Sequence, residues 1–158
     1  QLPTLGNLII FPVHQFLFTE KNGVSLIQQY DFVVDATDNF ESKFIINDIC
    51  VQEGIAFCHA GISGLFGQVM TIVPGKGPCY RCVFKNPPET EVHNNSGTLG
   101  AIVGVLGSIQ AGEAIKYLVG YGKLLIGRMI TFDGKNSIFR EIQLPDHNCR
   151  ICLSCRKS

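Results

Sequence analysis

Residues 31 to 40 read Asp-Phe-Val-Val-Asp-Ala-Thr-Asp-Asn-Phe. The apolar, β-branched run from Asp31 to Asp35 predicts a buried strand, and Ala36 to Asn39 predicts the turn that closes it. Apolar residues then recur at helical spacing, which predicts a helix from Phe40 to Glu53. Ile55 to Ala60 follows as a second strand. A strand, a helix and a strand in this order predict a parallel α/β unit.

The segments after this unit predict further regular structure. We expect a third strand at 67–73, an exposed loop at 85–96, a helix at 99–117 and a β-hairpin with strands at 127–133 and 138–144. Glycines recur along one side of the predicted helix, and we expect them to let its backbone approach a neighbour closely. Before Asp31, residues 7–13 are compatible with a strand and residues 23–29 with a short helix.

The composition limits the class of protein. The chain has 158 residues, of which 46% are hydrophobic and 16% charged, and its formal net charge is zero. A balanced charge provides no basic field for nucleic acid and no polybasic face for a membrane surface. The longest apolar run, at 99–109, is too short to cross a bilayer, and we expect no signal peptide. We therefore expect a cytoplasmic protein with neither a nucleic acid nor a membrane as partner.

Two C-x-x-C pairs predict a metal site, and they consist of Cys79, Cys82, Cys149 and Cys152. A two-residue spacer lets both sulfurs of a pair face one ion, and two pairs complete the four thiolates of a structural zinc site. The alternative is a set of free or redox-active thiols. Cys155 repeats the spacing and His147 lies nearby, so both are weaker candidates for ligands.

The acidic turn at Asp38 is a candidate ligand site. Ligands of open α/β sheets bind beyond the carboxyl ends of the strands, and a carboxylate at that edge can hold Mg²⁺ against phosphate oxygens. The alternative is that Asp38 caps the helix, because Asp38 and Glu41 have the spacing of a capping box. Asp35 is interpreted as a structural carboxylate of the turn. For Lys43, both a phosphate contact and a solvated side chain are considered, and the solvated side chain is favoured.

The order and spacing of six segments resemble the ThiF/MoeB/HesA family, whose members are relatives of ubiquitin-activating enzymes. The first is the D-x-V-x-D-x-T-D-N pattern at 31–39, and the others lie at 64–68, 77–82, 97–100, 107–116 and 149–152. The resemblance covers residues 7 to 152. It implies an α/β fold with a partial Rossmann-like sheet, the C-terminal half of the ThiF/MoeB fold, formed as a single domain over 1–158. A C-terminal β-hairpin and a four-cysteine zinc knuckle, with a zinc-binding tail at 146–158, complete the implied fold.

The resemblance also implies an activity. Family members adenylate the C-terminal glycine of a ubiquitin-like sulfur-carrier protein: its carboxylate attacks the α-phosphate of ATP and releases pyrophosphate. By this resemblance Asp38 is catalytic and binds Mg²⁺ and ATP, while Asn39 and Lys43 contact the nucleotide. The four paired cysteines hold structural zinc, the Gly-Gly tail of the carrier passes under a crossover loop at 85–96, and the protein is a homodimer.

The chain departs from the family pattern at two places. The glycine-rich nucleotide loop, G-x-G-G-x-G, is missing, since residues 1 to 30 contain only Gly6 and Gly23. A complete ATP site cannot be built from these residues, so we expect this chain to be inactive alone and ATP and Mg²⁺ to bind in a longer parent. His93, or Ser96 if the loop is shifted, stands where many members carry a reactive cysteine, which predicts adenylation without thioester or persulfide formation.

Two smaller interpretations and one alternative function remain. Cys58 and His59 are neighbours on a predicted strand and point to opposite faces, so we expect a buried Cys58 rather than a catalytic pair. Glu113 and Lys116 are interpreted as an ion pair along one helix. The alternative function is a non-catalytic module, stabilised by zinc, that dimerises and binds the carrier.

Overall fold

The computed structural model describes residues 4–5, 8–9, 12–85, 97–146 and 149–154. The strands are β1 (Thr4–Leu5), β2 (Leu8–Ile9), β3 (Phe32–Asp35), β4 (Ala56–Ser63), β5 (Phe66–Ile72), β6 (Arg128–Asp133) and β7 (Ile138–Gln143). The helices are α1 (Glu20–Ile27), α2 (Phe40–Gln52), α3 (Tyr80–Val83), α4 (Gly100–Val119) and α5 (Arg150–Ser154).

Five strands form one mixed sheet in the order β3-β4-β5-β6-β7. β3 and β4 run parallel and place Asp35 beside His59, which confirms the strand, helix and strand unit predicted around the acidic turn. The other neighbours pair antiparallel, including the predicted hairpin of β6 and β7. β1 and β2 form a separate two-stranded sheet.

Helices cover both faces of the sheet. One face carries Phe57, Met70 and Ile72, which pack against the buried side of α2. The opposite face carries Cys58, Val69 and other residues that pack against α4. The alternation along β4 follows from the two-residue period of a strand, and it buries Cys58 in the apolar layer as expected.

Helix α1 packs against α2 through a glycine. Gly23 is buried, and a Cβ at this position would collide with Ile49 and with the ring of Phe18. Because Gly23 has no Cβ, it leaves room for the ends of the Ile49 and Phe18 side chains beside α1. The prediction of a short helix in this region is confirmed, and the helix begins at Glu20.

The face of α4 that meets the sheet differs from the prediction. Its buried residues are Ile102, Leu106, Gln110 and Glu113. Gly100, Gly104 and Gly107 are exposed, and a Cβ on any of them would meet no described atom within 4 Å. The expectation that these glycines allow close packing is therefore wrong for the described residues. The sheet buries the larger side chains, because they remove more apolar surface from water.

Helix α4 is long and apolar enough to cross a membrane, judged by length and composition alone. Core helices of globular domains meet the same two criteria. This result differs from the expectation drawn from the apolar run at 99–109, because the helix extends to Val119. The four buried residues of α4 face β3, β4 and β5, and two of them, Gln110 and Glu113, are polar.

Candidate functional site

The turn after β3 is fixed by the carboxylate of Asp35. Its Oδ1 accepts hydrogen bonds from the backbone N–H of Thr37 at 2.9 Å and from the Thr37 hydroxyl at 2.6 Å. Asp35 is 1% exposed. The interpretation of Asp35 as a turn carboxylate is therefore confirmed, and the turn presents the next residues at the carboxyl edge of the parallel pair.

Asn39, and not Asp38, caps helix α2. The Asn39 Oδ1 accepts a hydrogen bond from the backbone N–H of Ser42 at 2.8 Å. Because α2 begins at Phe40, the residue directly before it has the backbone geometry of an N-cap, and the capping alternative for Asp38 is wrong. Asp38 is exposed, and its Oδ1 accepts a hydrogen bond from the Asn39 side-chain amide at 3.2 Å.

Lys43 reaches back from α2 to the end of the sheet. Its Nζ donates to Asp35 Oδ2 at 3.0 Å and to the carbonyl oxygen of Ala60 at 2.8 Å. The side chain is buried, so the favoured interpretation of Lys43 as solvated is wrong. Burial lowers the pKa of Lys43, and the negative charges of Asp35 and Asp38 oppose this change.

His59 completes a buried charged cluster that the sequence analysis missed. His59 Nδ1 lies 3.0 Å from Asp35 Oδ2, the same oxygen that binds Lys43. Burial alone would raise the pKa of Asp35, but the hydrogen bond with His59, the charge of Lys43 and the bonds from Thr37 lower it to about 2. Burial lowers the pKa of His59, and the bond to Asp35 opposes this effect.

Helix α4 fixes the strand ends beneath this cluster. The Gln110 side-chain amide donates to the carbonyl oxygens of Asp35 and Cys58, at 2.8 and 3.0 Å. One turn further along, the buried Glu113 accepts from the backbone N–H of Leu125 and forms an ion pair with Lys116, as predicted. These polar contacts hold α4 at a fixed position across the parallel pair.

The four paired cysteines lie together. The Cys79 sulfur is 3.9 Å from that of Cys82 and 3.5 Å from that of Cys149, and Cys82 and Cys152 are 3.7 Å apart. All four sulfurs lie within 4.8 Å of one another. In a tetrahedron with metal–sulfur bonds of about 2.3 Å, the sulfur–sulfur edges are about 3.8 Å. The arrangement therefore fits a metal ion with four thiolate ligands.

A cation that binds these thiols has to displace their protons. Burial raises the pKa of Cys152 to about 12 and raises that of Cys79 as well, so the thiols stay neutral when no cation is near. A metal ion deprotonates the cysteines that bind it, and its positive charge compensates for burying the thiolates. The buried Cys50 and Cys58 lie outside the cluster, and burial raises the pKa of each to about 12.

The first C-x-x-C pair is attached to α2. The Arg81 guanidinium donates to both carboxylate oxygens of Asp48, at 2.6 and 2.7 Å, and lies 4.5 Å from the ring centroid of Phe44. The backbone N–H of Tyr80 donates to the side chain of Asn47 at 2.8 Å. The helix that begins beside Asp38 thus also supports the cysteine cluster.

Several predicted features lie outside the described residues. These are most of the crossover loop, with His93 and Ser96, and the terminal positions His147 and Cys155. The roles predicted for them stay predictions.

A protein-family comparison matches the ThiF family over residues 9–153. The chain belongs to the ThiF family. Its sequence is 39% identical over 157 residues to the "adenylyltransferase and sulfurtransferase MOCS3" of Culex quinquefasciatus, covering 98% of this chain and 36% of that protein. The protein of the same name from Aedes aegypti is 38% identical over 156 residues, with 96% and 36% covered. The chain thus spans about a third of the length of these curated relatives.

Solved structures of the ThiF-like enzyme MccB from E. coli share the fold. The complex of MccB with ATP has a TM-score of 0.71 at 18% identity, covering 89% of this chain and 45% of that one. The complex with MccA-N7isoASN has a TM-score of 0.70 at 19% identity, covering 86% and 44%. These similarities confirm an α/β architecture with a mixed five-stranded sheet of the ThiF/MoeB type.

Proposed function

We propose that this chain forms part of an enzyme that uses ATP to adenylate the C-terminal glycine of a ubiquitin-like sulfur-carrier protein. Membership of the ThiF family and the names of the relatives, which are adenylyltransferases, support the reaction type. The observation that carries the proposal for this chain is the exposed carboxylate of Asp38 at the carboxyl edge of β3 and β4. Ligands of α/β sheets bind at this edge.

The residues around the turn have distinct proposed roles. Asp38 binds Mg²⁺, which neutralises charge on the phosphates. The Asn39 amide nitrogen contacts the nucleotide, while its oxygen remains the helix cap. Lys43 provides a positive charge beneath the turn, and its bond to Asp35 holds the ammonium in place for a phosphate oxygen.

Structural zinc is proposed for the cysteine cluster. Four thiolates leave no coordination position open for substrate, so the ion would stabilise the fold and take no part in the reaction. Zinc would fasten the zinc-binding tail, through Cys149 and Cys152, to α3 and α2.

The nucleotide site of this chain is incomplete, because the 158 residues hold no G-x-G-G-x-G loop. We expect the isolated chain not to exchange pyrophosphate into ATP, and we expect the longer parent, a cytoplasmic protein, to do so. With His93 at the position of the reactive cysteine, the reaction would stop at the adenylate, without a thioester or persulfide on the crossover loop.

The alternative proposal is a non-catalytic module that forms a homodimer and binds the carrier. The outer side of α4 supports the homodimer, which both proposals share, because this surface is apolar and exposed at Val103, Ile115, Leu118 and Val119. Exposed apolar surfaces of this kind often mark protein–protein contacts. Sedimentation of the chain as a monomer at micromolar concentration would contradict this alternative.

The proposed function is tested in the full-length parent by carrier-dependent exchange of labelled pyrophosphate into ATP. We expect Asp38→Ala to reduce exchange by at least ~100-fold. The reason is that Mg²⁺, which would neutralise the phosphate charge in the transition state, loses its carboxylate ligand. Glu41→Ala is the matched control, since Glu41 is an exposed carboxylate one turn away in α2 and should leave exchange unchanged. Undiminished exchange by the Asp38 variant would remove Asp38 from the mechanism.

A further inference from the structure

The position of Asp38 is set by the elements on either side of its turn. The turn joins Asp35, the last residue of β3, to Phe40, the first residue of α2. The Asp38 carboxylate is exposed and accepts a hydrogen bond from its neighbour Asn39, which in turn caps α2. A short turn that is bonded to itself moves with the elements it joins. The place of the Asp38 carboxylate therefore follows the end of β3 and the start of α2.

Strand β3 is short and lies at the edge of the sheet. It has 4 residues, and in the described part of the chain it pairs with β4 alone. Val34, one residue before the end of the strand, is 47% exposed. Strand ends with few contacts open more readily than the centre of a sheet, so the end of β3 depends on whatever else binds it.

Gln110 binds the end of β3 from the buried side of α4. Its side-chain nitrogen donates to the carbonyl oxygen of Asp35 at 2.8 Å and to that of Cys58 at 3.0 Å. A side-chain amide has two N–H donors, so one glutamine can bind a carbonyl on each of two neighbouring strands. Gln110 is 4% exposed, and its two bonds fix the end of β3 relative to β4.

The other contacts of Asp35 act on its side chain. Lys43 of α2 donates to the carboxylate, His59 of β4 lies 3.0 Å from it, and Thr37 binds the other oxygen. A side chain can keep such bonds while its backbone shifts, because its torsion angles adjust. The bond from Gln110 acts on the backbone itself, and the path of the chain into the turn therefore depends on it.

We propose that Gln110 is a positioning residue for the reaction, which holds the end of β3 where the Asp38 carboxylate can meet Mg²⁺ and the phosphates of ATP. The inference rests on the proposed function, in which Asp38 is the metal ligand. Gln110 is buried and acts through the backbone of Asp35, three residues before Asp38. Its loss moves a reacting group, and a misplacement of about 1 Å can lower a rate about 100-fold.

The first measurement needs neither nucleotide nor metal. In the ¹⁵N-labelled 158-residue chain, relaxation gives the order parameter of the Asp38 backbone amide, which should be about 0.85 when the turn is held. Gln110→Met keeps the length of the side chain but removes both donors, and it should lower this value toward about 0.6. Leu125→Ala is the control, because it opens a cavity in the apolar layer that packs against α4 and leaves the Gln110 bonds in place.

The second measurement uses the full-length parent and the exchange of labelled pyrophosphate into ATP. Gln110→Met should lower carrier-dependent exchange roughly 10- to 100-fold, within the loss that a small misplacement causes. In an Asp38→Ala background the same change should cause no further loss, because Gln110 acts through Asp38. Leu125→Ala should leave exchange unchanged at temperatures where urea denaturation shows each variant to be folded.

The results distinguish positioning from a purely structural role. A loss confined to Gln110→Met, and absent in the Asp38→Ala background, supports the inference. The inference is wrong if Gln110→Met changes neither quantity, if Leu125→Ala lowers both as much, or if Gln110→Met lowers exchange equally with and without Asp38. If Asp38→Ala alone leaves exchange undiminished, the proposed function fails at Asp38, and the order parameter then decides on its own whether Gln110 holds the turn.

Discussion

Arg81 and Asp48 form a two-point ion pair, with Nε–Oδ1 and Nη2–Oδ2 distances of 2.6 and 2.7 Å. The pair connects the first C-x-x-C segment to the middle of α2. We expect Arg81→Ala to lower the free energy of unfolding by about 1 to 2 kcal/mol, because a bidentate charged contact and a contact with the Phe44 ring are lost. Urea denaturation measures this change.

The control for this ion pair is Arg128→Ala. Arg128 pairs with Glu141, whose side chain is 44% exposed against 23% for Asp48, so solvent weakens this ion pair, and its loss should cost less than about 1 kcal/mol. Arg128 also donates to the carbonyl oxygen of Leu124, and the variant loses this contact as well. We also expect Arg81→Ala to speed the release of zinc to a chelator, while the Arg128 variant releases zinc at the unmodified rate. Equal release rates would mean that the ion pair does not support the cysteine cluster.

The cysteine cluster predicts a metal stoichiometry of about one zinc per chain, from its four thiolates. Elemental analysis of protein prepared without chelator measures this ratio, and finding no metal would contradict the assignment. Replacement by Co²⁺ should give the absorption bands of a tetrahedral thiolate site. Cys152→Ser should lose the zinc, whereas Cys50→Ala, a change at a buried cysteine outside the cluster, should keep it.

Stability in acid depends on Asp35. The pKa of Asp35 is about 2 in the folded chain, below the ordinary value of 3.8. The ionised carboxylate therefore stabilises the fold above about pH 4, and this stabilisation is lost as the pH falls through about 2. The contribution is about 2 kcal/mol. We expect the difference in unfolding free energy between the unmodified chain and Asp35→Asn to shrink as the pH falls from about 5 to about 2. A difference that stays constant would contradict this prediction. Protonation of groups that do not interact with Asp35 is common to both proteins and cancels in the comparison.

Gln110 is expected to be more sensitive to mutation than its position on a helix implies. Gln110→Leu removes the two buried hydrogen bonds that the side-chain amide donates to the carbonyl oxygens of Asp35 and Cys58, and we expect a loss of about 1 to 3 kcal/mol in unfolding free energy. Ser108→Ala on the exposed side of α4 is the control and should change stability by less than about 0.5 kcal/mol. Equal effects in urea denaturation would show that the two bonds contribute little.

The sequence was sufficient to predict the parts of the fold that repeat with a fixed period. The helix from Phe40 and the hairpin ending at Gln143 were predicted within a few residues, because their apolar residues follow helical or alternating patterns. The cysteine cluster was recognisable for a different reason: the C-x-x-C spacing restricts the geometry of each pair regardless of what lies between them.

The features that were missed depend on contacts between distant residues. The pairing of His59 with Asp35 arises from the register of two parallel strands, which a single sequence does not specify. Lys43 has the composition of a surface residue, and only the fold shows that it ends beside Asp35. The outward glycines of α4 were misassigned because the helix is apolar on several sides, so periodicity alone does not select the face that meets the sheet.

The contact of Gln110 with the carbonyl of Asp35 limits how the turn after β3 can be transferred to another protein. The five residues from Asp35 to Asn39 look like a portable motif, but their foundation is an amide that lies 75 positions later in the chain. A graft of this short segment into an unrelated scaffold would therefore leave its strand end unsupported. The segment and the distant helix have to be transplanted, recombined or redesigned together.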